Sequence, residues 1–99
     1  MFTIKGKELA IDLGTANSRV YTDGAGLTVQ EPTVVALDTK TQEIIAFGKE
    51  AFDMVGRTPE GMYVAYPMVE GVISDFDLAE AYLKHLMTKA DPGLHLIRP

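Results

Sequence analysis

The segment LAIDLGTAN, residues 9–17, joins an apolar strand to a turn of small residues. Asp12 stands near the end of this strand, and glycine at position 14 lets the backbone approach a ligand closely. The residues that follow offer N–H and hydroxyl donors across a tight turn, which suits the oxygens of a phosphate group. The expected phosphate-binding residues are Gly14, Thr15, Ala16 and Asn17.

Asp12 is the candidate metal-binding residue beside this turn. Its carboxylate would repel a bare phosphate, and a divalent cation between the two groups removes that repulsion. Mg²⁺ keeps much of its hydration shell, so we expect it to contact Asp12 through water. The same spacing also fits a plain hairpin turn in which Asp12 is a surface carboxylate, and it leaves both interpretations open.

Strands are predicted on both sides of the turn. A first strand over Glu8 to Leu13 and a second over Ser18 to Thr22 contain the β-branched and aromatic residues of a hairpin. A third strand over Leu27 to Val29 is expected to end at Glu31-Pro32, because proline lacks the N–H that a strand ladder needs. Two more strands are predicted to form a second hairpin: Thr33 to Leu37 and Glu43 to Phe47.

A short helix is predicted over Lys49 to Val55, between Gly48 and a stop at Gly56. Its apolar residues are expected to face the core from one side: Ala51, Phe52 and Val55. An extended segment over Met62 to Val64 follows this helix.

A longer helix is predicted to begin at Ser74 or Asp75 and to end before Asp91-Pro92-Gly93. Its apolar residues recur at steps of three and four, which gives one face to the core. Ser74 and Asp77 are expected to form a capping box at its start. His85 falls on the polar side of the helix, and we expect it to be exposed.

Composition limits the classes of protein that the chain can be. Its 99 residues are 46% hydrophobic and contain no cysteine, which fits one globular domain in a reducing compartment, with no disulfide framework. Nine Lys and Arg stand against 14 Asp and Glu, and this acidic balance argues against a nucleic-acid partner. No stretch has the roughly 20 apolar residues of a membrane-spanning helix. A cytoplasmic location is expected.

Other binding motifs fit the sequence poorly. The Walker phosphate-loop pattern is absent, and the dinucleotide fingerprint that Gly24 and Gly26 begin fails at Val29. Neither histidine has a second histidine four residues away, so the sequence predicts no histidine metal site.

The segment at residues 9–17 resembles the first phosphate loop of the actin, Hsp70 and sugar-kinase superfamily, and its Gly-Thr-Ala-Asn form is the one carried by the bacterial MreB family. Three further stretches resemble that family in the same register: Gln30-Glu31-Pro32-Thr33-Val34-Val35-Ala36, Gly56-Arg57-Thr58-Pro59 and Glu70-Gly71-Val72-Ile73-Ser74-Asp75-Phe76. The chain departs from the family pattern at Ala10, where glycine is usual, and at residues 65–69, where two positive charges are lost. Both departures lie outside the phosphate loop.

The resemblance implies an α/β chain with the actin-like, Hsp70-like ATPase fold, which is ribonuclease H-like, and this sequence is expected to be its N-terminal part. Residues 1–30 and 75–99 would belong to the first large subdomain, and residues 31–74 to the small subdomain inserted in it. The family's second phosphate loop and catalytic glutamate are expected beyond Pro99, so no catalytic residue is expected within this chain.

The resemblance also implies cofactors and partners. The longer protein would bind ATP with Mg²⁺ and form filaments by self-association. These filaments would lie at the inner face of the cell membrane, where they would organise the cell-wall synthesis machinery and so determine rod cell shape.

The apolar tail Leu94-His95-Leu96-Ile97-Arg98-Pro99 follows a Pro-Gly break. In the MreB family the matching loop carries two large apolar residues and dips into the inner leaflet of the membrane. The resemblance therefore implies that Leu96 and Ile97 contact the membrane. The alternative, that they begin the next sheet strand and belong to the core, stays open.

Two other functions stay open as well. Another ATPase or a phosphotransferase of the same superfamily would share the loop at residues 14–17, but not the stretches at 56–59 and 71–76. A stand-alone interaction module of actin-like fold would bind no nucleotide, and the length of the chain does not separate it from the filament protein.

Overall fold

The structure is a computed structural model that describes residues 2–4, 9–57 and 60–90. These residues form nine strands and two helices. In chain order the elements are β1 (Phe2–Ile4), β2 (Leu9–Leu13), β3 (Asn17–Thr22), β4 (Gly26–Pro32), β5 (Val35–Asp38), β6 (Ile44–Phe47), α1 (Gly48–Asp53), β7 (Met62–Ala65), β8 (Met68–Val69), β9 (Val72–Ile73) and α2 (Phe76–Ala90).

A four-stranded antiparallel sheet in the order β1-β2-β3-β4 carries the candidate phosphate-binding loop at residues 14–17, here called the candidate loop. The predicted first hairpin is confirmed: β2 pairs with β3, with Leu13 opposite Ser18, and residues 14–16 connect them. Strand β1, which was not predicted from the sequence, pairs with the other side of β2. The strand that bears Asp12 is therefore hydrogen-bonded on both sides.

Strand β4 ends at Pro32, which lies opposite Asn17, so the predicted break at Glu31-Pro32 is confirmed, although the strand continues three residues beyond the predicted Val29. β4 lies at the end of the strand order, and Pro32 is its last residue. Proline is tolerated at such a position because its missing N–H interrupts no inner ladder. The longer strand brings Glu31 opposite Ser18, directly after the candidate loop.

A three-stranded sheet in the order β6-β5-β7 contains the second predicted hairpin, which is confirmed. The turn between β5 and β6 is held by Asp38, whose Oδ1 accepts hydrogen bonds from the amides of Lys40 at 2.8 Å and Thr41 at 2.9 Å. These two bonds, the Thr41 bond first, lower the pKa of Asp38. Strands β8 and β9 form a separate small hairpin, whose turn places Gly71 at φ +78°.

Helix α1 is shorter than predicted and buries a different face. Gly48 and Ala51 are its buried residues, whereas Phe52 is 55% exposed and Val55 is 42% exposed. The helix ends at Asp53, so Val55 lies beyond it and does not share the side of Ala51. The prediction that Phe52 and Val55 face the core is therefore wrong.

Helix α2 begins at Phe76, as predicted within two residues, but its cap differs. Asp75 Oδ1 accepts a hydrogen bond from the Leu78 amide at 3.1 Å, which is the geometry of an N-cap. Ser74 instead donates its hydroxyl proton to the carbonyl oxygen of Tyr66 at 2.6 Å, so the expected capping box is wrong. The Ser74 side chain ties the start of α2 to the segment after β7.

Two clusters of buried apolar side chains form the core. The larger cluster packs α2, through Tyr82 and Leu86, against Ile11 and Val20 of the four-stranded sheet. The smaller cluster lies between α1 and the three-stranded sheet: Val34, Ala36, Ala46 and Ala51. Helix α2 therefore covers the sheet whose β2–β3 connection is the candidate loop.

Neither helix in the described part of the chain has the length and the apolar run that crossing a bilayer requires.

Candidate phosphate-binding site

The candidate loop is a tight connection that only glycine fits at its first position. A Cβ atom built on Gly14 would lie 2.5 Å from the carbonyl oxygen of Asn17. The clash is with backbone, which has no room to move without opening the hairpin. The outer surface of the loop is open, since Thr15, Ala16 and Asn17 are exposed.

Two long-range hydrogen bonds hold the loop in place. The Thr33 amide donates to the Ala16 carbonyl oxygen at 3.0 Å, and the Gly71 amide donates to Thr15 Oγ1 at 2.7 Å. A hydroxyl that accepts a bond from an amide still has its own proton to donate. The Thr15 hydroxyl therefore keeps its own proton for a hydrogen bond to an oxygen atom of a ligand.

Asp12 lies at the loop end of the hairpin, one residue before the end of β2 and opposite Arg19. The Arg19 Nη1 and Asp12 Oδ2 atoms are 4.0 Å apart, and the Asp12 side chain is 54% exposed. An ion pair this long and this exposed is worth at most about 1 kcal/mol, so Asp12 can exchange Arg19 for another cation. Magnesium sites commonly combine one or two carboxylates with water and phosphate oxygens, which the single carboxylate of Asp12 fits.

Within the described residues there is no group of three or more His, Asp or Glu side chains that could hold a metal ion by themselves.

Three buried hydroxyl groups lie behind the loop. Ser18 Oγ and Thr33 Oγ1 are 2.6 Å apart, and the Tyr82 hydroxyl donates to the Pro32 carbonyl oxygen at 2.6 Å. Burial, the largest contribution, raises the pKa of Tyr82 to about 12, so its hydroxyl stays protonated and keeps donating. We call Ser18, Thr33 and Tyr82 the hydroxyl network.

A second polar cluster surrounds Glu31, whose side chain is only 4% exposed. Its carboxylate accepts bonds from Lys89 Nζ at 2.7 Å and from the Lys49 amide at 3.1 Å, and lies 3.2 Å from His85 Nε2. Burial alone would raise the pKa of Glu31. The bonds from Lys89 and Lys49, with the charges of His85 and Lys89, outweigh burial and bring the pKa below its ordinary value of 4.5.

His85 is therefore not the exposed histidine that its helical position predicts. Its side chain is 23% exposed, and its ring stacks on Phe47 with centroids 4.7 Å apart and 7° between the planes. The polar side of α2 is covered at this point by β6, which a helix pattern alone does not reveal.

The predicted site residues lie in one region, together with two residues to which the sequence pattern assigned no role. Asp12 and the loop at 14–17 lie beside Thr33 and Gly71. Both Thr33 and Gly71 fall in stretches that carry the family resemblance, which is the signal that could have found them. The predicted membrane residues Leu96 and Ile97, like His95, lie outside the described residues.

Comparison with known proteins identifies the family. The model of the MreB/Mbl protein family matches residues 6–99. The cell shape-determining protein Mbl of Bacillus cereus is 45% identical over 93 residues, which cover 94% of this chain and 28% of that protein. The chain thus spans little more than a quarter of the length of this relative.

Solved structures give the same result. MreB5 of Spiroplasma citri bound to ADP is similar with a TM-score of 0.75 and 42% identity, over 82% of this chain and 25% of that one. A MamK double helical filament is similar with a TM-score of 0.68 and 24% identity, over 88% of this chain and 29% of that one, which shows the fold alone. These similarities confirm the predicted actin-like fold. The chain belongs to the MreB/Mbl family.

Proposed function

We propose that this chain forms the phosphate-binding wall of a Mg-ATP site in a filament-forming, actin-like ATPase that determines cell shape. The observation that carries the proposal is the loop at residues 14–17, whose residues 15–17 are exposed and which accepts hydrogen bonds from the amides of Thr33 and Gly71. It is supported by the name of the Bacillus cereus relative, a cell shape-determining protein, and by the ADP bound to MreB5 of Spiroplasma citri.

Each site residue has a distinct role in this proposal. Thr15 donates its free hydroxyl proton to a phosphate oxygen, and the amides of the loop add further donors. Asn17, at the start of β3, donates from its side-chain amide. Asp12 holds a hydrated Mg²⁺ ion, which when bound neutralises phosphate charge next to the carboxylate.

Filament formation, membrane contact and action with the cell-wall synthesis machinery belong to the same proposal. The MamK neighbour is a double helical filament, which supports self-association through this fold. The division into subdomains at residues 31–74 also stays a prediction. These properties require the longer protein, since the chain spans 28% of its Bacillus cereus relative.

The 99-residue chain by itself should bind Mg-ATP with a dissociation constant weaker than about 1 mM. An open loop supplies only part of the contacts that a nucleotide needs, and tight sites enclose most of their ligand. Isothermal titration calorimetry with Mg-ATP measures this directly. Micromolar affinity would contradict the prediction and would show that the chain holds a complete site.

The proposed function is tested in a chimera in which this chain replaces the matching 93 residues of Bacillus cereus Mbl. Asp12→Ala should lower the rate of ATP hydrolysis at least about tenfold, because it removes the carboxylate that holds the metal. The substitution lies at an exposed strand end, so it should not unfold the protein.

Asp23→Ala is the matched control, since Asp23 is an exposed aspartate in the turn between β3 and β4, at the other end of the same sheet. It should leave hydrolysis unchanged. Equal hydrolysis in Asp12→Ala, Asp23→Ala and the unmodified chimera would remove Asp12 from the site, and a chimera that binds no Mg-ATP would overturn the proposed function.

Membrane contact is tested with polymerised chimera and liposomes that contain anionic lipid. Leu96→Ser with Ile97→Ser should abolish co-sedimentation, because each apolar side chain contributes about 1.5–3 kcal/mol when lipid buries it. Leu27→Ser with Ile45→Ser is the control, since this leucine and isoleucine are exposed at 49% and 46%. Unchanged co-sedimentation of intact filaments in the first variant would exclude residues 96 and 97 as the anchor.

A further inference from the structure

We propose that Ser18, Thr33 and Tyr82, the hydroxyl network, are positioning residues that set the phosphate-binding loop for its ligand. The inference rests on the proposed function, because it assigns a task to buried groups behind the same loop. None of the three lies on the outer surface of the loop, since all three are buried. They act through the backbone of Ala16 and Pro32.

The Ser18 and Thr33 hydroxyls join β3 to the residue that follows β4, next to the last residue pair of these two strands. Ser18 follows the loop directly, and Thr33 follows the last residue of β4. Their hydroxyl oxygens are 2.6 Å apart, and the Thr33 amide donates to the Ala16 carbonyl oxygen at 3.0 Å. A side-chain bond and a backbone bond therefore fix the same end of the loop, beside the Asn17 to Pro32 pair.

Tyr82 connects this end of the loop to the core helix. Its ring is fully buried in the larger apolar cluster, and its hydroxyl donates to the Pro32 carbonyl oxygen at 2.6 Å. The Pro32 carbonyl oxygen also accepts from the Val34 amide at 3.1 Å, so Tyr82 is not needed to satisfy it. The bond instead fixes the distance between α2 and the segment that holds Ala16.

A purely apolar set of side chains would fill the same space, but its contacts would not fix directions as hydrogen bonds do. Hydroxyl groups that are buried must be paired, since an unpaired one costs about 1–3 kcal/mol. A fully paired network therefore admits few arrangements of the backbone around it. Backbone donors bind phosphate well only when they are held in the productive geometry within about 0.5 Å, and the hydroxyl network supplies that constraint.

The test uses the Mbl chimera and the substitution Thr33→Val, which keeps the shape of the side chain and removes its hydroxyl. The dissociation constant and KM for Mg-ATP should rise about tenfold, the equivalent of one hydrogen bond, with kcat within about twofold. Thr33→Ser restores the hydroxyl and should return both constants to their starting values. In the 99-residue chain, amide exchange at residue 33 should accelerate in Thr33→Val, whereas exchange at Gly71 should not change.

Thr28→Val is the matched control on the same sheet. Thr28 Oγ1 also bonds a second hydroxyl, Thr22 Oγ1, at 2.8 Å, but this pair is exposed and remote from the loop in the pairing of β3 with β4. It should leave the binding of Mg-ATP unchanged. Loss of affinity in Thr28→Val equal to that in Thr33→Val would overturn the proposal, since any hydroxyl of this sheet would then serve.

Two outcomes separate this inference from the proposed function. If the unmodified chimera binds no Mg-ATP, the proposed function fails and the inference fails with it. If it binds Mg-ATP and Thr33→Val binds equally well, the function stands and the positioning role is overturned. Should Thr33→Val not fold, Tyr82→Phe removes a single oxygen atom, and unchanged affinity and KM in that variant would overturn the proposal in the same way.

Discussion

Gly48→Ala should lower the free energy of unfolding of the chain by about 2–4 kcal/mol. Gly48 has φ +57°, a left-handed conformation that alanine adopts at a cost of about 1–2 kcal/mol. A Cβ atom at this position would also overlap the Glu31 carboxylate, with Glu31 Cδ 2.8 Å away. The carboxylate must move, and it then loses its bond from the Lys49 amide and its contacts with Lys89 and His85.

Urea unfolding followed by circular dichroism measures this loss, and Gly24→Ala separates its two causes. Gly24 has φ +78°, yet an added Cβ would meet nothing within 4 Å. Gly24→Ala should therefore show the backbone strain alone, about 1–2 kcal/mol. Equal losses in the two variants would show that displacement of Glu31 contributes nothing.

Glu31→Gln should lower the free energy of unfolding at neutral pH by about 2–3 kcal/mol. Glutamine keeps the shape of the side chain, but its neutral amide pairs poorly with Lys89. Its NH2 group must also face groups that are themselves hydrogen-bond donors. Lys89 is half exposed, so water solvates its charge after the change and limits the loss. Glu43→Gln, an exposed carboxylate in the turn before β6, is the control and should change stability by less than about 0.5 kcal/mol.

The pH dependence of unfolding gives an independent check on Glu31. Its pKa is lowered in the folded chain, so the stabilisation is present above the ordinary pKa of 4.5 and is lost as pH falls through the lower folded value. Stability of the unmodified chain should therefore fall more steeply below pH 4.5 than that of Glu31→Gln. The lowered pKa of Asp38 acts in the same window, but both chains contain it and it cancels in the comparison. Parallel curves for the two chains would contradict the assigned role of Glu31.

Local sequence predicts those elements of the fold that depend on residues adjacent in the chain. The β2–β3 hairpin follows from strand-forming residues on both sides of Gly14, and α2 follows from its repeat of apolar residues. The continuation of β4 from the predicted Val29 to Pro32 is not predictable in this way, because a strand tolerates proline at a sheet edge and local sequence does not show which strand lies there. Local sequence also does not predict that α1 ends at Asp53, which places Val55 outside the helix.

The candidate site likewise has a part that local sequence predicts and a part that it does not. Asp12 and the loop at 14–17 are consecutive residues, so one short segment contains their chemistry. The groups that hold the loop come from residues 33 and 71, and the side-chain partners of Glu31 come from α2, 54 residues further along in the case of His85. A helix pattern places His85 on the polar side, and only the packing of Phe47 against it shows that this side is covered.

The contacts of α2 with the end of β4 also indicate where this chain can accept added residues. Tyr82 and Lys89 contact Pro32 and Glu31. The segment from residue 34 to residue 74 therefore begins at the end of β4 and is followed by a helix that packs against that same end. Residues added or removed within that segment, at the turn of residues 39–42 for example, change the connection between β5 and β6 and leave the contacts of α2 with β4 in position. This chain can therefore accept added residues at that turn without displacing Asp12 or the loop that follows it.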